Sequence, residues 1–272
     1  MKDRTLTNKI RPILLFIFGL LMLFPFVWML STSIKQGREV YSLSLWVSNP
    51  SLDNYTRLFT NSYFPRWFIN SFIAGTIVTC SILFFDSLMG YTFAKHNFRG
   101  KKLIFILVLS TMMIPTEMLI IPWYLISSKA GWVDTYWGIV FPGLMTGFGT
   151  FLMRQFFDTL PDDLFDAGRI DGMNEFSIWV QIGMPLVKAA LSALAIFSFV
   201  GNWNAFLWPL IISSATKMYT LPVGLALFNG EFSTEWEMIM TGASVATIPV
   251  IIIYIIFQRQ IIEGIALTGV KG

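Results

Sequence analysis

The sequence predicts an all-α integral membrane protein, a bundle of six transmembrane helices. Three observations carry that reading. Of the 272 residues, 55% are hydrophobic and only 13% are charged, where a water-soluble domain carries roughly a quarter charged residues. Six apolar runs lie along the chain, near the length of roughly 20 residues that one crossing requires. The runs are continuous, whereas the strands of a membrane β-barrel alternate in hydropathy. The 10 Trp and 8 Tyr fit interfacial aromatic belts.

The first span runs from about Arg11 to Ser31. It exceeds the roughly 7–15 apolar residues of a signal-peptide core, so it reads as a retained anchor. The second span is Trp67 to Ala94 and carries Asp86; the third is Leu103 to Tyr124 and carries Glu117, with a helix break suggested by Pro115 and Pro122. The fourth is Tyr136 to Met153, the fifth Leu186 to Ile212, and the sixth Ile239 to Phe257. A charge within a span costs at least about 2.5 kcal/mol, so Asp86 and Glu117 are expected to face the bundle interior or water. Asp86 reads as a structural group paired to a neighbouring helix. Glu117 is either a pathway residue at the break or an acceptor for backbone groups that Pro115 frees. The single cysteine, Cys80, excludes an intramolecular disulfide.

Basic residues set the orientation. With the N-terminus inside, 13 Lys and Arg fall on the inner side and 6 on the outer. The positive-inside rule then places both termini in the cytoplasm. The outer segment of about Lys35 to Arg66 is too small for a core of its own but long enough for a short helix. Residues 1–272 read as a single transmembrane domain.

Between the fourth and fifth spans lies a polar insert, about 158–176, longer than a helix connection needs. It reads as helix, Gly, second helix. Pro161 suits a first turn, and Asp162 and Asp163 oppose the positive end of the helix dipole. Leu160, Leu164 and Ala167 recur at helical spacing, Gly172 permits the left-handed stop, and Asn174 is a fitting N-cap with Glu175 behind it. Phe176, Trp179, Val180 and Gly183 would share a face of the second helix. Surface-lying amphipathic helices are Lys/Arg-rich, whereas Asp dominates here. An acidic helix with small residues suits a protein groove instead, and the candidate docking residues are Asp162, Asp163, Asp166, Ala167, Gly168, Asp171 and Gly172.

This insert resembles the cytoplasmic loop of the permease subunits of binding-protein-dependent ABC importers. That loop carries Glu-Ala-Ala, a Gly a few residues on, and a distal Ile-x-x-Pro. Here the residues are Asp166-Ala167-Gly168, Gly172 and Ile182-Gly183-Met184-Pro185. Further stretches, similar in order to carbohydrate-importer permeases of the maltose type, are Pro50-Ser51-Leu52-Asp53-Asn54-Tyr55, Gly90-Tyr91-Thr92-Phe93-Ala94-Lys95, Trp203-Asn204-Ala205-Phe206-Leu207-Trp208-Pro209 and the closing Gly269-Val270-Lys271-Gly272. Within that family the chain looks like the shorter six-helix partner. The resemblance implies a type I importer permease in a bacterial or archaeal cell membrane, pairing with a second permease, most often as a heterodimer. It further implies two ATPase subunits that hold ATP and Mg, an extracytoplasmic sugar-binding protein, a sugar or oligosaccharide substrate, and no cofactor on this chain. The insert would be the coupling helix. The family often has Glu where Ala205 stands.

Pathway candidates are Glu117 and the cluster Trp203, Asn204 and Trp208, whose rings can stack on a sugar or simply pack. His96 reads as a surface group. Neither a zinc motif nor a phosphate-binding loop occurs, so the chain reads as non-catalytic and not a nucleic-acid binder. The alternative is an ion-coupled secondary transporter, which would explain Glu117 but leave the acidic insert without a task.

Overall fold

A computed structural model describes residues 2–230 and 233–269, the side chains of 2–10, 13 and 259–269 excepted. Residues 270–272 of the closing motif lie outside the described residues. The helices are α1 (Lys2–Ser33), α2 (Asp53–Thr60), α3 (Phe64–Lys95), α4 (Lys101–Thr111), α5 (Ile120–Lys129), α6 (Tyr136–Val140), α7 (Gly147–Asp158), α8 (Asp163–Ile170), α9 (Glu175–Ile178), α10 (Met184–Leu186), α11 (Lys188–Trp203), α12 (Leu207–Ile212), α13 (Leu221–Ala226) and α14 (Trp236–Gly269). Among the described residues the β pairing consists of an isolated bridge between Asn229 and Thr234. The fold class is all-α, as expected.

Three stretches are unbroken and apolar enough to cross a membrane: Leu14–Ser33, Phe64–Lys95 and Trp236–Gln258. Three further candidates are bent pairs. Lys101–Thr111 meets Thr116–Lys129 at 93°, Tyr136–Gly143 meets Gly147–Asp158 at 47°, and Glu175–Leu186 meets Lys188–Trp203 at 85°. Six spans are reached when each bent pair counts once. The third span is broken beside Pro115, as expected, whereas the continuous fourth and fifth spans expected from hydropathy are corrected to broken ones.

Proline explains two interruptions. A proline ring clashes with the carbonyl four residues earlier. Pro115 therefore stops α4, which ends at Thr111, and Pro209 forbids a helix running through Ala205, so α11 ends at Trp203 and α12 starts anew at Leu207. Pro122 does not break the chain. It lies in the first turn of α5, where backbone N–H groups have no helical partner in any case.

The chain forms two compact units. One comprises the residues up to Pro65 together with Gly224–Pro249; the other comprises Arg66–Val223 together with those from Val250 onward. In the first unit the segment that follows α1 is organised around Lys35, which is fully buried. Its ammonium donates to the carbonyls of Ser42 (2.9 Å) and Ser44 (2.6 Å). Asn54 on α2 donates to the carbonyls of Ser33 and Lys35, and Tyr55 shares hydrogen bonds with Ser33 and Ser244. The short helix expected in this segment is α2.

The second unit has its core where α3, α7, α8, the α9–α10 segment and α11 meet, around Tyr91, Met153, Phe157, Phe165, Ile178, Trp179 and Leu194. Asp86 is fully buried on α3. It accepts from the Thr146 backbone N–H (3.1 Å) and hydroxyl (2.6 Å), and Thr146 in turn caps α7 by accepting from Gly149 N–H at 2.9 Å. The carboxylate therefore closes the bend before α7, at the positive end of that helix, which is the structural role expected of it. A Cβ at Gly149 would lie 2.2 Å from Asp86 Oδ2, so the site admits only glycine without moving the cap.

Asp86→Ala should leave Thr146 N–H unsatisfied and destabilise the protein by about 1–3 kcal/mol, read as a lower thermal midpoint in detergent. Asp86→Asn keeps one acceptor and should lose less. An unchanged midpoint in Asp86→Ala would remove this account of the bend.

Candidate functional site

The start of the polar insert is fastened to the end of α3 by Lys95. Lys95 Nζ donates to Asp162 Oδ1 (2.6 Å) and to the Leu160 carbonyl (2.6 Å), and it lies over the Phe165 ring at 4.9 Å from the centroid. Its side chain is 4% exposed, whereas that of Asp162 is 78% exposed. The Lys95 hydrogen bond holds the Asp162 carboxyl below the usual carboxylate range. A depressed carboxylate stabilises above its free pKa and releases only in acid below it, so this tie persists at neutral pH. Pro161 precedes the Asp162 cap and lies outside the first turn expected for it.

The face that α8 buries differs from the one its spacing suggested. Phe165 and Gly168 are buried, while Leu164 and Ala167 are exposed. Phe165 packs on Tyr91 with 5.7 Å between ring centroids. A Cβ on Gly168 would meet Ile182 Cδ1 at 2.8 Å and Ile178 Cγ1 at 3.2 Å, so α8 lies close against the following segment. The Lys95 tether and the bulk of Phe165 set the rotation of the helix. Asp163, Leu164, Asp166, Ala167, Ile170 and Asp171 then form the outward face, with Ile170 85% exposed. Gly168 faces inward and does not belong to that face.

The turn after α8 follows the sequence signals. Gly172 has φ +79°, its N–H donates to the Arg169 carbonyl, and Met173 N–H reaches back to the Gly168 carbonyl at 3.0 Å. This is the paired bonding that ends a helix on a left-handed residue. Asn174 accepts from Ser177 N–H at 2.8 Å and caps α9. A π-helical turn then covers Trp179–Gly183. It shifts the register, so Ile178, Trp179 and Gly183 are buried while Phe176 and Val180 are exposed. The expected common face of Phe176, Trp179, Val180 and Gly183 is split for that reason.

Arg169 joins the two halves of the insert. It pairs with Asp166 at 2.6 Å, one turn back, and with Glu175 at 2.8 Å. The hydrogen bonds that it donates to Glu175 and Asp166 push its pKa above the ordinary arginine value. Glu175 also accepts from Tyr91 Oη at 2.8 Å and lies 3.2 Å from His96 Nε2. His96, read as a surface group, is therefore part of the contact between α3 and the insert. Asp166 is half-exposed and engaged by Arg169 within its own helix.

The pathway candidates differ in exposure and in what they touch. Glu117 is on the short turn Thr116–Leu119 between α4 and α5 and is exposed, not buried within this chain. Trp203 is buried, stacked on Phe199 and edge-on to Phe68. Trp208 donates its indole N–H to the Gly138 carbonyl at 3.0 Å and lies edge-on to Trp123. Asn204 is exposed.

A residue other than Gly at 172 must carry the positive φ, which costs about 1–2 kcal/mol for most side chains and less for Asn. No atom lies within 4 Å of a Cβ there, so strain alone acts. Gly172→Val should open the 169–175 turn to limited proteolysis, and Gly172→Asn should protect it nearly as well as Gly. Equal cleavage of both variants would place the effect elsewhere.

Comparison with known proteins agrees with this geometry. Residues 86–266 match the family described as "Binding-protein-dependent transport system inner membrane component". The chain is 38% identical over 259 residues to the arabinooligosaccharides transport system permease protein AraQ of Bacillus subtilis, covering 93% of this chain and 92% of that one. It is 31% identical to the trehalose/maltose transport system permease protein MalG of Thermococcus litoralis, over the full length of both. A crystal structure of a bacterial ABC transporter involved in the import of alginate shares the fold, with TM-score 0.85 at 24% identity over 95% of this chain and 98% of the matched one. The bent helices, the acidic insert fastened beneath α3 and these matches agree: the chain belongs to the family of binding-protein-dependent transport system inner membrane components.

Proposed function

We propose that this chain is the permease subunit of an ATP-driven importer that moves a sugar or oligosaccharide into the cytoplasm by alternating access. The observation that carries the reading is α8, a short helix tied to α3 and α9 on one side and presenting Asp163, Asp166, Ala167 and Asp171 on the other. Several relatives are named for sugars, AraQ and MalG among them. Another is named for sn-glycerol-3-phosphate, so the family alone leaves the substrate class wider than sugars. The family match leaves the ion-coupled alternative without support.

In this reading α8 is the coupling helix and docks on one of two separate ATPase subunits, which hold ATP and Mg. The 1–272 chain acts as one permease domain, pairs with a second, different permease, and receives substrate from an extracytoplasmic binding protein. Both termini are cytoplasmic, in a bacterial or archaeal cell membrane. Closure of the ATPases moves α8 and, through Lys95 and Glu175, the cytoplasmic end of α3. Glu117, Trp203, Asn204 and Trp208 stay as pathway candidates. Of these, exposed Glu117 and Asn204 suit a lumen shared with the second permease better than the two packed indoles.

Asp166→Lys should reverse the charge beside Arg169 and the outward face together. The expected result is loss of substrate uptake and of ATPase subunit copurification, with membrane insertion and pairing to the second permease retained. Full uptake with normal ATPase retention would sink the docking assignment.

Orientation is checked separately. In a Cys80→Ser background, cysteines placed at Ser51 and Asn97 should react with an impermeant thiol reagent from opposite faces of the membrane. Reaction of both from the outside would reverse the topology.

A further inference from the structure

The start of α4 and Arg154 of α7 line an open cavity of about 1030 Å³. Its wall combines two chemistries. Lys101, Lys102 and Arg154 supply three cations, and Phe105, Leu103 and Ile106 supply apolar surface. The Arg154 guanidinium lies over the Phe105 ring, with Cζ 4.0 Å from the centroid, and its Nε has no hydrogen-bond partner. Asp158 approaches that Nε at 3.3 Å and offsets part of the charge, which leaves the cations in excess. Lys101 has a weak contact to Asn97 at 3.5 Å. Continuing from this cavity, α4 exposes Leu103, Ile106 and Leu107 along its outer side.

We infer that this cavity binds the headgroup of an anionic glycerophospholipid, with its acyl chains lying along α4. Charge complementarity selects the occupant. A basic pocket between membrane helices at the water boundary attracts acidic headgroups, and the exposed aliphatic run beyond it needs hydrocarbon, not water. Free phosphate would satisfy the cations but leave the apolar wall and most of the volume without a partner. A zwitterionic lipid would satisfy the wall but not the excess positive charge. Arg154 is the anchoring group, because its planar guanidinium is stacked and positioned with donors available to a phosphate. Lys101 and Lys102 add flexible point charges at the rim.

The test uses the assembled transporter in phosphatidylcholine vesicles containing a small share of photoactivatable phosphatidylglycerol, with labelled peptides mapped after digestion. Labelling of the 97–109 segment should exceed that by photoactivatable phosphatidylcholine. It should fall about fivefold for each lysine neutralised, measured in Lys101→Gln, Lys102→Gln and the double variant. Because these side chains stand at the rim, the variants should insert normally; Arg154→Gln serves as a further variant if it assembles. Inorganic phosphate should not compete. Equal labelling by both lipids, unchanged labelling in the double lysine variant, or full competition by inorganic phosphate would each overturn the assignment. Absence of labelling in the assembled transporter would show that a protein partner covers the cavity, and would overturn it too.

Discussion

A helix that breaks inside a membrane frees backbone donors and acceptors that hydrocarbon cannot satisfy, and much of this chain is arranged around that constraint. Three of its candidate spans are bent by 47° to 93°, so the chain must supply its own partners at each bend. The clearest case is the junction before α7. There Asp86, an otherwise costly buried carboxylate, accepts from both the backbone and the hydroxyl of Thr146. Thr146 passes the arrangement on to Gly149. The charge in the span and the break in the span are thus solutions to each other.

The same economy appears where the chain leaves the apolar region. Lys95 ends α3 with a charge that would cost most if left alone, yet its ammonium is lodged between the Leu160 carbonyl, the Asp162 carboxylate and the Phe165 ring. Removing Asp162 would leave a poorly hydrated ammonium behind, whereas Asp162 is itself largely exposed, so the tie matters more to position than to net stability. Arg169 and Glu175 repeat the device across the Gly172 turn. The insert is consequently held at two points on the end of α3, by Lys95 and through Tyr91 and His96. It has no need of hydrophobic burial on its outer face.

What could be read from the sequence follows from how local each signal is. Gly172 and Asn174 act on their immediate neighbours, so their left-handed stop and N-cap were legible from residue type alone and are present. Apolar runs likewise located the three unbroken candidate spans, because crossing length is a property of composition, while the fifth run, Leu186 to Ile212, was displaced from the bent pair Glu175–Leu186 and Lys188–Trp203. The bends were only half legible. Pro115 announced its break, but the bend before α7 depends on Asp86, some 60 residues away in sequence. The buried face of α8 was misread for the same reason. Spacing alone favoured Leu164 and Ala167, while the distant Lys95 and the aromatic core turned Phe165 inward. A π-helical turn, which no periodicity announces, redistributed the face of the following helix.

These ties also bear on what motion the site can transmit. A helix attached by a single flexible contact would absorb a push from a partner by pivoting. Here α8 is fixed at its start by Asp162 and near its end by Arg169, and Gly168 is in close approach to Ile178 and Ile182 along its middle. The space between α8 and the following segment is too small for another side chain, so relative sliding would require repacking of a close-packed interior. The insert and the lower end of α3 therefore move most cheaply as one body, and compliance is left to the bends. One of these, the 85° junction at Val187, follows directly on the insert. A push on the outward acidic face would reach the membrane helices by rotation about such junctions, with the capped ends keeping their own hydrogen bonds throughout.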